Sequence, residues 1–107
     1  MSRRLANSDV FSAIADPTRR KLLDLLGSGE HTVNSLAGEF DVTLSAISQQ
    51  LRLLREVGLV TAHRSGRERR YRLCAEPLKQ ILEWVGQYER FWNSKLDALG
   101  DYLEKNP

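Results

Sequence analysis

The hydrophobic period of this chain changes at Gly58, and that change limits the folds open to it more than any other feature. Before the glycine, Leu44, Ile47, Leu51 and Leu54 recur at i, i+3, i+7 and i+10, the spacing of one helix face. After it, residues 59–64 and 69–73 read as two strands around the turn Ser65-Gly66-Arg67-Glu68. A helix that runs straight into a β-hairpin is a restrictive combination.

The upstream elements are marked by their caps. A first helix covers residues 9–15, with Val10, Phe11 and Ile14 on one side. Asp16-Pro17 closes it and opens a second, because Asp is a good N-cap and Pro suits the first helical position. That helix carries Leu22, Leu23, Leu25 and Leu26 and stops at Gly27-Ser28-Gly29. Thr32 caps a third over residues 33–40, and Thr43 a fourth over residues 44–57. Glu76-Pro77 opens a long last helix, with Leu78, Ile81, Val85, Tyr88, Trp92, Leu96, Leu99 and Leu103 at every third or fourth position. The expected fold is therefore mainly α with a small β-hairpin wing (α+β), a winged helix-turn-helix of five helices. Its 107 residues suffice for a single domain, 1–107, with a reading helix at 43–57, a wing at 59–73 and a terminal helix at 76–104.

Charge is distributed unevenly along this order. Residues 1–42 hold five Lys/Arg and six Asp/Glu, and residues 74–107 hold four and six. Residues 43–73 hold seven arginines against Glu56 and Glu68, so positive charge collects in the middle third, where a polyanion would feel it. With Ile47, Leu51 and Leu54 turned inward, Ser45, Gln49, Arg52 and Glu56 project from the other side of the fourth helix, with Ser48 on the flank. Ordinary exposed helices carry more Lys and Glu, whereas six of the eight residues from Thr43 to Gln50 are Ser, Thr, Gln or Ala. Small residues permit close approach to a groove, and hydroxyl, amide and guanidinium groups match base edges and phosphates. The candidate DNA contacts are Thr43, Ser45, Ala46, Ser48, Gln49, Gln50 and Arg52 on the helix, and Arg64, Arg67 and Arg69 on the wing. Alternation puts Arg69 and Tyr71 on one face of the wing and Arg70 and Arg72 on the other, where arginines can pair with acids such as Glu68. The expected partner is double-stranded DNA.

The last helix reads as an association surface. Residues 83–92 hold four aromatics, and Trp92, Leu96, Leu99 and Leu103 extend the apolar band beyond what a small winged core can cover. A homodimer through Val10, Phe11, Ile14, Trp84, Tyr88, Phe91, Trp92, Leu96, Leu99 and Leu103 follows as an expectation. The same aromatic stripe could line a pocket for an organic effector between subunits.

The stretch Phe11-Ser12-Ala13-Ile14-Ala15-Asp16-Pro17-Thr18-Arg19-Arg20-Lys21-Leu22-Leu23-Asp24-Leu25-Leu26 resembles the opening of ArsR/SmtB-type winged-helix repressors. So do Ser45-Ala46-Ile47-Ser48-Gln49-Gln50-Leu51-Arg52-Leu53-Leu54-Arg55-Glu56-Val57-Gly58-Leu59-Val60, Arg64-Ser65-Gly66-Arg67 and Arg70-Tyr71-Arg72-Leu73. The resemblance implies a homodimeric repressor whose fourth helices enter successive major grooves of a near-palindromic operator. Gln50 departs from it, standing where members often have His, which alters one contact.

Many members of that family sense metals, and their ligand patterns are absent from this chain. Residues 30–40 contain no cysteine, and residues 76–107 contain no histidine. Two histidines and Cys74 in separate elements are too few for a soft-metal site, so the resemblance points to the metal-independent subgroup. No metal and no cofactor is expected. Cys74 reads as a small core residue, and a single cysteine fits a reducing cytoplasm. The opening residues, Met1 to Asn7, lack the apolar stretch of a secretory signal, and no run approaches the ~20 apolar residues that span a bilayer, so no membrane is expected. There is no glycine-rich phosphate loop and no nucleophile paired with histidine, so the chain does not read as an enzyme. Two other readings stay open: a repressor responsive to an organic effector, and a winged helix that binds only protein.

Overall fold

The computed structural model describes residues 9–105, apart from the side chains of Ser94, Leu96 and Asp97. The elements are α1 (Val10–Ile14), α2 (Pro17–Leu26), β1 (His31–Thr32), α3 (Val33–Ala37), α4 (Leu44–Glu56), β2 (Val60–Ser65) and β3 (Glu68–Leu73). A 3-10 turn (Glu76–Leu78) then leads into α5 (Lys79–Gly86) and α6 (Glu89–Lys105).

Side-chain caps start the first four helices. Asp9 accepts from the Ser12 N–H at 2.7 Å, Asp16 from Arg19, Thr32 from Ser35 and Thr43 from Ala46, the last three at 3.1 Å. Each such bond satisfies an otherwise orphan donor and contributes about 1 kcal/mol. The end of α4 is as tightly specified. Leu59 N–H donates to the Leu54 carbonyl and Gly58 N–H to that of Arg55, both at 3.0 Å, with Gly58 at φ +80°. This is a Schellman closure, and the buried Leu54 and Leu59 supply the apolar contact that accompanies it. It turns the chain directly from the reading helix into the wing.

The core joins Leu22, Leu23 and Leu26 of α2, Leu36 of α3, and Ile47, Leu51 and Leu54 of α4 to Leu59, Val60 and Tyr71. Val10 and Ala13 of α1 belong to it as well. The sheet is antiparallel, in the order β1-β3-β2. Its hairpin turns at Gly66-Arg67, with Ser65 opposite Glu68 and Gly66 at φ +68°, a two-residue turn tighter than the four-residue one expected. The edge strand β1, with His31 opposite Tyr71 and Thr32 opposite Arg70, is too short to leave a periodic signal in sequence.

Three further expectations need correction. The third helix ends at Ala37, and residues 38–40 continue as turns in which Glu39 N–H meets the Leu36 carbonyl and Phe40 N–H that of Ala37. The single terminal helix is two helices. Gly86 weakens the interior of the expected helix, the Gln87 side-chain amide donates to the Trp84 carbonyl at 3.0 Å, and Tyr88 N–H closes on Val85 at 2.9 Å. The described residues thus form six α-helices where five were expected. Finally, Leu44 does not continue the buried stripe of α4 but stands 45% exposed at its start.

Every described side chain of α6 is exposed. The radius of gyration of 18.2 Å, against about 13 Å for a compact domain of this length, agrees with a helix that leaves the body.

Candidate nucleic-acid interface

Two elements that meet at Gly58 form the surface. On α4, complete burial of Ile47, Leu51 and Leu54 forces the opposite side outward, so Ser45, Ser48, Gln49, Arg52 and Glu56 are exposed. Thr43 is exposed while its Oγ1 holds the Ala46 N–H. Ala46 is half-buried on the flank. Leu44 adds an exposed apolar group near the helix start, of the kind that suits a thymine methyl. Arg52 and Arg55 line an open cleft with Glu56, Thr61 and Ala62, where α4 passes into β2.

Gln50 is the exception on this helix. It is half-buried, and its Oε1 accepts from Arg19 Nη1 at 2.9 Å. Arg19 also donates through Nε to the Ala13 carbonyl at 2.8 Å and through Nη2 to that of Ser12 at 3.2 Å. Sequence reasoning missed Arg19, since partners 31 positions apart leave no local signal.

The wing separates its arginines by face. Val60, Ala62 and Arg64 of β2 lie opposite Leu73, Tyr71 and Arg69 of β3, so Arg64 and Arg69 extend the core-side face toward the tip. These two residues are direct cross-strand partners, and neither meets a carboxylate among the described residues. Like charges placed opposite each other are unfavourable unless an anion joins them. Arg67 is exposed in the turn. On the other face, Arg70 meets Glu68 at 3.5 Å, and Arg72 donates to Glu30 Oε2 through Nε at 2.9 Å and Nη2 at 2.7 Å. His63 Nε2 meets the same Glu30 oxygen at 3.0 Å. The Arg72 hydrogen bonds, aided by His63, hold the Glu30 carboxyl below its usual range. Glu30 precedes β1, so this cluster ties the wing to the body. Sequence order hides it because its members lie 33 and 42 residues apart.

The expected association residues divide. Val10 is buried in the chain's own core and Ile14 packs half-buried against it, so Val10 offers nothing to a second subunit. Their helix is so short that its inward side is spent on the core. Phe11 stays exposed, edge-to-face with Trp84 at 5.9 Å, and Trp84 meets Tyr88 at 5.6 Å. Phe91, Trp92, Leu99 and Leu103 are exposed on α6. The Leu96 side chain lies outside those described.

Among the described residues, no three of His, Cys, Asp and Glu come together as a metal-holding group. His31 Nδ1 contacts Ser35 Oγ at 3.0 Å, and Cys74 is half-buried beside Leu59.

Residues 16–62 match the profile of the family described as bacterial regulatory protein, arsR family. Over 78 residues the chain is 37% identical to the transcriptional repressor SdpR of Bacillus subtilis, covering 73% of this chain and 87% of that protein. It is 44% identical over 81 residues to the transcriptional repressor SmtB homolog of Synechocystis, covering 76% of this chain and 61% of that one. In structure it is similar to an ArsR-like transcriptional regulator from Rhodococcus sp. RHA1, with a TM-score of 0.71 at 29% identity, covering 99% and 97% of the two chains.

Proposed function

The chain belongs to the arsR family of bacterial regulatory proteins, DNA-binding transcription regulators, and from that premise we propose that it acts as a homodimeric, metal-independent repressor. In this reading α4 enters the major groove. Ser45, Ser48, Gln49 and Arg52 face base edges, while Thr43, Ala46 and Gln50 line the approach. Arg64, Arg67 and Arg69 of the wing take the neighbouring phosphates or the minor groove. The observation that carries the reading is the directly opposed Arg64 and Arg69, uncompensated beside a polar helix face of small and amide side chains. A wing that only bound protein would have no use for it.

Two copies joined through Phe11, Trp84, Tyr88, Phe91, Trp92, Leu99 and Leu103 would set two reading helices on a near-palindromic operator, the promoter of the protein's own gene being the first candidate. Occupancy of the operator then blocks polymerase. No helix among the described residues is long and apolar enough to cross a membrane, and a DNA partner places the protein's work in the cytoplasm. Metal independence rests on the ligand types missing from residues 30–40 and 76–107.

The test is fluorescence anisotropy and footprinting on DNA upstream of the gene, together with random-site selection. We expect a protected near-palindrome, affinity that falls steeply with salt, and no change on zinc or arsenite titration. Failure to protect that DNA, with no sequence recovered from the random pool, would end the reading. Loss of operator binding on adding either metal would end its metal-independent part.

A further inference from the structure

We infer that Arg19 is a positioning residue for DNA recognition, holding the Gln50 amide in one orientation with its N–H donors left free for DNA. The inference rests on α4 being the reading helix. A guanidinium group has five N–H donors and no acceptor, so the Gln50 atom facing Arg19 Nη1 at 2.9 Å must be the carbonyl Oε1. The amide nitrogen is thereby turned away. It has no hydrogen-bond partner among the described residues, and no unpartnered side-chain nitrogen or oxygen is buried, so Gln50 Nε2 reaches solvent.

Arg19 is itself held on three sides. Its backbone N–H donates to Asp16 Oδ2 at 3.1 Å, while Nε and Nη2 occupy the Ala13 and Ser12 carbonyls at the end of α1. The guanidinium plane is therefore set before DNA arrives, and reversing the Gln50 amide would set N–H against N–H. A free glutamine can pair with adenine through N–H and C=O together, which requires Oε1 as an acceptor. In this setting Arg19 engages one lone pair of Oε1, and the part of the amide left wholly unengaged is the Nε2 donor pair. That pair suits an acceptor: guanine O6 or N7, thymine O4, or a phosphate oxygen. The same arginine links α1, whose Phe11 touches Trp84, to the reading helix.

The test is a double-mutant cycle on the selected operator, comparing Arg19→Met, Gln50→Ala and the double variant by anisotropy, with thermal melts alongside. Arg19→Met should weaken operator binding about tenfold in the native background and less than twofold once Gln50 is alanine. A purely structural role for Arg19, as anchor of α1, would weaken both backgrounds equally, and that additive result would overturn the inference. Repeated random-site selection with Gln50→Ala distinguishes the acceptors. Relaxed preference at a single G or T marks a base contact, and a uniform loss at every sequence marks a phosphate. Gln49→Ala/Arg52→Ala serves as the control for the underlying reading. If that variant keeps full sequence preference, α4 is not the reading helix, whatever the Arg19 cycle returns.

Discussion

Helices α4 and α6 carry apolar residues at the same three- and four-residue spacing, yet they meet opposite fates. In α4, Ile47, Leu51 and Leu54 are 0% exposed beneath α2, α3 and the sheet. In α6, Phe91 is 51% and Leu99 53% exposed, and Leu82 just before it on α5 reaches 70%. Spacing states which side of a helix is adhesive. What covers that side depends on whether the same chain can bring other elements onto it. Helices α2 and α3 and the sheet pack over α4, whereas the exposed band of α6 has no such cover among the described residues.

The wing repeats the contrast on a smaller scale. Arg70 and Arg72 have carboxylates and spend their charge within the fold, whereas Arg64 and Arg69, cross-strand partners, have none among the described residues. Arginine content alone therefore overstates the surface offered to DNA.

The strongest way to break the first comparison is Leu51→Ala. Emptying a fully enclosed leucine site should cost about 2–5 kcal/mol, read as a lowering of the urea midpoint relative to wild type that is the same at every protein concentration. Trp92→Ser should instead leave the monomer fold nearly intact and weaken self-association by at least about tenfold, an anchor residue contributing roughly 2 kcal/mol. Sedimentation equilibrium checks this, and an unchanged association constant would show that α6 is not the joining surface. The contrast within the wing is sharpened by Arg64→Ala. It should reduce the salt slope of DNA binding by about one and weaken all sequences alike. Because it relieves a like-charge pair, it should also raise stability by a few tenths of a kcal/mol at most.

Glu30→Gln gives the smallest effect, and one that depends on pH. Its carboxyl is held below the usual 4.5 by Arg72 first and His63 second, so the folded state favours the ionised form. The stability this confers is complete above that usual value and is lost as the pH falls through the lowered one. Wild type and Glu30→Gln should therefore differ in melting temperature at neutral pH and converge well below pH 4.5. A gap that persists in acid would mean that Glu30 acts by shape alone.

Much of the molecule could be read from the chain, for identifiable reasons. Asp16, Thr32 and Thr43 cap the helices they were expected to cap, because a cap bond closes within three residues. Gly58 and Gly66 sit at positive φ where the hydrophobic pattern called for a helix stop and a hairpin turn. Local chemistry of this sort needs no knowledge of the fold. The break at Gln87 was less visible, since the apolar spacing runs through it in phase, and only side-chain and backbone closures on Trp84 and Val85 mark it.

What the sequence determined by itself was the order and type of the elements from α1 to β3 apart from the edge strand β1, the buried stripe of α4 and the basic middle third, all properties of residues near one another in the chain. The tertiary structure alone decided which charges remain free. Arg19 meets Gln50 across 31 positions and fixes the orientation of its amide, while Arg72 meets Glu30 across 42 and is drawn away from the DNA surface in which composition would have counted it. It also drew Val10 into the core and left Leu44 outside. Side-chain hydrogen bonds act over about 3 Å, and whether two distant residues come that close depends on how helices and sheet pack, which periodicity along one segment does not encode.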